Sequence, residues 1–193
     1  MADMLNRRDV VAKLLAGPRE DLLVVTGLGQ CAYDCFAAGD DPRTFYLWGA
    51  MGGAVPMGMG LAVAQPEKRV LVVTGDGELL MGLGALAAAA AEGLPNLAVA
   101  VIDNERYGET GQQQTATGRG TDIAGIAAAA GFAATKLVAA EADVAEGVRL
   151  CREAQGPVLV TFKVDHESQE MALPPKDGAF LKTRFRQAVV GKI

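Results

Sequence analysis

Asp76 and Asn104 are oxygen-donor side chains that each stand behind a long uncharged apolar run. Asp76 follows Val70-Leu71-Val72-Val73-Thr74-Gly75, and Asn104 follows Leu97 to Ile102 and Asp103. A carboxylate and an amide carbonyl are hard donors that suit Mg²⁺, which takes one or two protein ligands of this kind and fills its shell with water and phosphate oxygens. Gly75 and Gly77 flank the aspartate and let backbone approach a ligand closely. Free N–H groups at the start of a following helix suit phosphate oxygens. A cation-bridged diphosphate fits all three features. A Gly-Asp-Gly is equally a plain turn after a buried strand, so the surrounding pattern must decide.

Those two residues need elements that bring them together. Val70 to Thr74 is mostly β-branched and uncharged, the pattern of a strand buried on both faces of a parallel sheet. The chain is expected to turn at Gly75-Asp76-Gly77 and to form one helix over Leu79 to Ala91, which contains no charge. Leu97 to Ile102 then returns as a second buried strand. Strand, turn, helix, strand is a right-handed crossover whose ligands sit at the strands' carboxyl ends, so Asp76 and Asn104 should share one crevice. Further strands are expected at Leu22–Thr26, Phe45–Trp48, Thr135–Val138 and Pro157–Val164. Helices are expected at Arg7–Ala16 with Asn6 as cap, from Gln30 to Ala38, over Gly52–Gln65, from a Thr121 cap to Ala130, and over Glu141–Ala154. The class is α/β: a three-layer, mainly parallel six-stranded sheet with helices on both faces.

Composition narrows the function. Half of the 193 residues are apolar, enough for one sizeable core, and the net charge of −5 offers no basic field for nucleic acid. No uncharged helical stretch reaches the ~20 residues of a membrane span. Met1 to Arg8 is followed by Asp9 and Lys13, so no leader is expected and a cytoplasmic protein is. Cys31 and Cys35 are four apart and Cys151 is remote, a pattern of buried small hydrophobes rather than of zinc or a redox pair. His166 is the only histidine and falls in a polar stretch, which argues against His-dependent catalysis.

Gly75-Asp76-Gly77, 26 residues and then Asn104 resemble the metal and diphosphate motif of thiamine-diphosphate (ThDP) enzymes. Gly49-Ala50-Met51-Gly52-Gly53 resembles the segment of their pyrophosphate (PP) domains that meets the aminopyrimidine. Asp103 to Gly111 resembles the asparagine-containing loop of sulfopyruvate and phosphonopyruvate decarboxylases. The resemblance runs from about residue 20 to 165. It implies ThDP and Mg²⁺ as cofactors, with Asp76, Asn104 and the main-chain carbonyl of Arg106 as metal ligands. Thr26, Gly27, Gln30, Gly75, Gly77, Glu78, Tyr107 and Gly108 become cofactor contacts. The Gly49 carbonyl would accept from the 4′-amino group, and Met51 would wedge between the two rings. Glu109 and Thr110 would stand beside the reacting carbon. In pyruvate decarboxylases the position of Thr110 is a glutamate; its loss suits a substrate with a second anionic group, which a carboxylate would repel. Asp103 stands where such motifs often have a first asparagine.

The resemblance also implies a partner. ThDP is activated by a glutamate from a pyrimidine-binding (Pyr) domain, for which this chain has no room. An α subunit supplying that glutamate is therefore expected, self-association with it, and a small anionic 2-oxoacid as substrate. The uncharged stretches Gly52–Gln65 and Leu79–Ala91 agree, because part of their surface should lie under another chain. Residues 1–170 read as a single PP domain. Residues 171–193, with Lys182, Arg184 and Arg186, read as a basic tail packing on a partner subunit. Two other readings stand beside the decarboxylase subunit. One is half of another ThDP enzyme, either a split transketolase or an oxidoreductase β subunit, although cysteine motifs for iron–sulfur clusters are missing. The other is a non-catalytic α/β scaffold subunit, which the presence of both Asp76 and Asn104 disfavours.

Overall fold

The computed structural model describes residues 4–191. Met1 to Asp3, where a leader would begin, and the last two residues of the expected tail lie outside that range. The elements in chain order are α1 (Arg7–Leu15), β1 (Leu22–Thr26), α2 (Gln30–Ala37), β2 (Thr44–Tyr46), α3 (Ala54–Ala64), β3 (Arg69–Gly75), α4 (Asp76–Met81) and α5 (Gly84–Glu92). There follow β4 (Leu97–Asp103), a small hairpin of β5 (Arg106–Tyr107) and β6 (Gln113–Gln114), a 3₁₀ turn (Thr117–Arg119), α6 (Ile123–Ala130), β7 (Ala134–Val138), α7 (Glu141–Glu153), β8 (Val158–Lys163) and α8 (Gly178–Val190).

Six strands form one sheet in the order β2-β1-β3-β4-β8-β7, every neighbouring pair parallel. The central strands β1, β3 and β4 are buried along nearly their whole length because their residues are apolar on both faces. Each such Val, Leu or Ile contributes about 1.5–3 kcal/mol on burial. Alternate residues face two separate cores. Val24, Leu71, Ala98, Val160 and their neighbours pack against α1, α2 and α7. Leu23, Val72, Val99 and Leu159 pack against α3 to α6. The strand order reverses between β1 and β3, and the crevice of such a sheet lies at that switch point, outside the carboxyl ends of the strands.

Asn6 caps α1 by accepting from Arg8 and Asp9 N–H, as its position in the sequence predicts. Cys31, Cys35 and Cys151 are free and buried, and burial pushes all three thiols up. His166 is exposed. Among the described residues no helix is long and apolar enough to cross a membrane.

Four expectations need correction. Asp76 and Gly77 lie in the first turn of α4, not in a turn before a helix. The helix expected over Leu79–Ala91 is two helices, broken after Met81: a Cβ on Gly52 would lie 2.7 Å from the Gly82 nitrogen, so two backbones pass in contact there. The Asp122 side chain caps α6 by accepting from Gly125 N–H, where Thr121 was expected. The basic tail carries α8, which folds back onto its own domain: Leu181 is buried, the rings of Phe45 and Phe185 meet edge-on at 5.6 Å, and Arg184 pairs with Asp40.

Candidate active site

The carboxyl ends of β1, β3 and β4 open into a cavity of about 320 Å³. Each strand delivers a different wall. β1 leads into α2, whose cap Gly29 makes no side-chain capping bond; β3 leads into α4, whose cap Gly75 makes none either. Gln30 and Cys31 from the first helix, and Asp76, Gly77 and Glu78 from the second, line the space. Two sets of helix-start N–H groups therefore lie around one cavity, an arrangement that favours an anion. Asn104 and Arg106 to Thr110 form the third wall.

Asp76 is 1% exposed. Its Oδ2 accepts from Thr115 Oγ1 at 2.5 Å and from Thr117 Oγ1 at 3.0 Å, while Oδ1 has no side-chain partner among the described residues. Burial pushes this carboxyl up to about 6; the Thr115 bond opposes the rise and the nearby Asp103 charge adds to it. Such a carboxylate, desolvated beside a second one, is suited to a cation. The Asn104 amide is oriented by two bonds: Nδ2 donates to Gln30 Oε1 at 3.0 Å and Oδ1 accepts from Arg106 N–H at 3.0 Å. Gln30, expected as a cofactor contact, lines the cavity and also holds the Asn104 amide. Asp103 pairs with Lys163 at 2.9 Å, and the same ammonium reaches Glu105 at 2.6 Å. Partial burial works to lower the Lys163 pKa, but the bonds to Glu105 and Asp103 outweigh it and raise the value. Lys163 thereby balances the aspartate that stands in the asparagine position.

Gly77 is where side-chain absence matters. A Cβ there would lie 2.5 Å from the Tyr107 ring and 3.3 Å from Thr115 Cγ2, so only glycine lets the 105–117 segment close over α4. That segment carries the hairpin β5–β6, with Thr115 N–H donating to the Glu105 carbonyl at 3.0 Å.

Met51 lines the cavity and is 38% exposed. Its neighbour Ala50 has φ of 56°, a left-handed conformation that costs energy for a residue with a Cβ. Glu78 holds this turn: Oε1 accepts from Gly52 N–H at 2.9 Å and Ala54 N–H at 3.2 Å, and Oε2 accepts from the Thr74 hydroxyl. Glu78 borders the cavity, but its oxygens are committed to protein, so it positions the Met51 turn. Glu109 lines the cavity and accepts weakly from Tyr33 Oη at 3.4 Å; Thr110 lines it and donates to Gln113 Oε1 at 3.0 Å.

Three expected contacts are not brought to this cavity. Thr26 is fully buried with its hydroxyl unpaired, since it ends β1 facing the α2 side of the sheet. Gly27 N–H donates to the Val73 carbonyl at 2.7 Å, tying β1 to β3. Gly49 is exposed and outside the lining. Conversely, Thr115, Thr117, Met81 and Lys163 belong to the site or its support and were not anticipated. A threonine pair in a polar run carries no periodic signal, and its partner Asp76 lies far back in the chain.

Residues 27–162 match the family of the thiamine pyrophosphate enzyme, C-terminal TPP binding domain. The chain is 31% identical over 186 residues to the sulfopyruvate decarboxylase subunit beta of Methanocaldococcus jannaschii, covering 95% of this chain and 97% of that one. It is 33% identical to the phosphonopyruvate decarboxylase of Streptomyces viridochromogenes, covering 95% of this chain but 46% of the relative. Among solved structures, a Rhodococcus jostii thiamine diphosphate-dependent 4-hydroxybenzoylformate decarboxylase superposes with a TM-score of 0.70 at 20% identity, over 88% of this chain and 34% of that chain. This last likeness is one of fold. The chain spans nearly the whole of the beta subunit but less than half of the phosphonopyruvate enzyme and about a third of the solved one. The chain belongs to the family of thiamine pyrophosphate enzyme C-terminal TPP-binding domains.

Proposed function

We infer that this chain is the PP-domain (β) subunit of a ThDP- and Mg²⁺-dependent 2-oxoacid decarboxylase acting on sulfopyruvate or phosphonopyruvate. The observation that carries this reading is the pairing of Asp76 Oδ1, left without a side-chain partner, with an oriented Asn104 amide beside two uncapped helix starts. Near-full-length similarity to a sulfopyruvate decarboxylase beta subunit supports the substrate class.

Bound here, ThDP would supply a nucleophilic carbon and an electron sink for the loss of CO₂. The chain's own residues bind and orient. Asp76 and Asn104 would hold Mg²⁺ with the Arg106 carbonyl, and the starts of α2 and α4 would receive the phosphate oxygens. Met51 and Met81 give the wall between them an apolar lining. Glu109 is engaged by Tyr33 at the cavity's edge, and Thr110 puts a neutral hydroxyl where a carboxylate would repel a sulfonate or phosphonate. An α subunit of similar size supplies the activating glutamate and covers part of the uncharged helices.

Isothermal titration with ThDP and Mg²⁺, with and without a co-expressed α chain, tests the reading. Binding should require Mg²⁺, vanish in Asp76→Ala and tighten with the partner. Decarboxylation should need both chains and favour sulfopyruvate or phosphonopyruvate over pyruvate. Full turnover by this chain alone would overturn the half-site assignment.

A further inference from the structure

The two oxygens of Asp76 are in different situations. Oδ2 takes two hydroxyl contacts, from Thr115 at 2.5 Å and Thr117 at 3.0 Å; Oδ1 takes none from any side chain among the described residues. Thr117 Oγ1 also lies 2.8 Å from Asp103 Oδ1, and the two threonine oxygens are 2.9 Å apart. All four residues are buried, none more than 4% exposed. The contacts therefore join three pieces of chain: the start of α4, the end of β4 and the segment after β6. The backbone closes the same ring, since Thr115 N–H donates to the Glu105 carbonyl and β5 lies antiparallel to β6 with Arg106 in register with Gln114.

We propose that Thr115 and Thr117 are positioning residues for the divalent cation, fixing the rotation of the Asp76 carboxylate and its distance from the Asn104 loop. A carboxylate free to rotate offers either oxygen. Pinned through Oδ2, it presents Oδ1 alone, and the cation meets a ligand whose orientation is set before binding. Thr117 does a second thing: its oxygen lies between the two buried carboxylates, 3.0 Å from Asp76 Oδ2 and 2.8 Å from Asp103 Oδ1, and its single proton serves one of them at a time, so the hydroxyl spaces the pair apart. Thr115 N–H anchors Glu105, the residue between Asn104 and Arg106, with φ of 59°. The hairpin thus sets the spacing of all the protein ligands assigned above.

This inference rests on the metal reading of Asp76 and Asn104, and the experiment separates the two. The full chain, with its α partner, is titrated with Mg²⁺ at saturating ThDP as wild type, Thr115→Val, Thr117→Val, Thr115→Ser and Thr117→Ser. The valine variants keep the shape and lose the hydroxyl, and Thr115→Ala serves where Thr115→Val fails to fold. Loss of such a supporting bond is expected to weaken Mg²⁺ by about tenfold or more at Thr115, somewhat less at Thr117. Serine at either position should return affinity to within about twofold, since it restores the donor. At saturating Mg²⁺ the KM for the oxoacid should be unchanged, which a general loosening of the cavity would not leave intact. Unchanged Mg²⁺ affinity in both valine variants overturns this proposal alone; no Mg²⁺ binding by wild type overturns the metal reading and this with it.

Discussion

The two faces of the sheet are built on opposite plans. On the α1, α2 and α7 face, helix ends are fastened by arginines. Asp34 takes Arg7 and Arg8; Arg69 donates to the Leu150, Cys151 and Ala154 carbonyls; Arg152 donates to those of Leu14, Ala16 and Pro18. α7 turns Glu146 and Arg149 to water. On the other face no arginine does this among the described residues; there Asn96 Nδ2 donates to the Ala62, Gln65 and Lys68 carbonyls at and after the end of α3. α3 and α6 carry no charge, α5 carries only its terminal Glu92, and Met57, Val63 and Met81 are exposed. There the backbones approach closely through glycine, as at Gly52 and Gly82. The first face is stabilised within the chain. The second shares the cavity with α2 and leaves an apolar exterior, the character of a surface meant to be covered.

That contrast predicts which substitutions cost stability and which cost binding. The largest expected effect is Asp34→Ala, which strands the buried Arg7 guanidinium and should remove about 3–5 kcal/mol of stability in urea unfolding while leaving Mg²⁺ affinity of the folded chain intact. Glu78→Ala deprives Gly52 and Ala54 N–H of their acceptor; a loss of about 1–3 kcal/mol is expected, together with weaker ThDP binding because the Met51 turn loosens. Gly77→Ala should reverse the balance. The methyl displaces Tyr107 and the hairpin, so titration should show about tenfold weaker Mg²⁺·ThDP binding, equivalent to about 1.4 kcal/mol, with secondary structure unchanged by circular dichroism. Smallest for the chain itself is Val63→Glu on α3, within about 0.5 kcal/mol in isolation but disruptive to association with the α chain, read by size-exclusion of the mixture. Should Val63→Glu associate normally, the second face is not the covered one.

The sequence made the buried strands legible because their signal is local: uninterrupted β-branched and aliphatic runs ended by glycine or acid. Asp76 and Asn104 followed directly, being the residues those runs deliver. What sequence did not reveal depends on contacts between distant segments. The break between α4 and α5 is made by Gly52 packing on Gly82, and the role of Thr115 and Thr117 by their reach back to Asp76. Gln30 and Glu78 both line the cavity, and only the structure reveals that each also holds another segment in place. The last helix had a usable signal: Leu181, Phe185 and Val189 recur at intervals of four, a stripe that the interleaved Lys182, Arg184 and Arg186 obscure.

The all-parallel order of the sheet bears on how the chain reaches this state. No pair of its six strands can be joined by a two-residue hairpin; each pairing waits on a crossover of a dozen residues or more. β4 must find β8 across everything from Asn104 to Pro157. Such non-local pairing puts the domain toward the slow end of single-domain folding. During that interval the charge-free helices α3 and α6 are unburied and prone to self-adhesion. Synthesis alongside the proposed α chain is then expected to raise the yield, before any substrate is met.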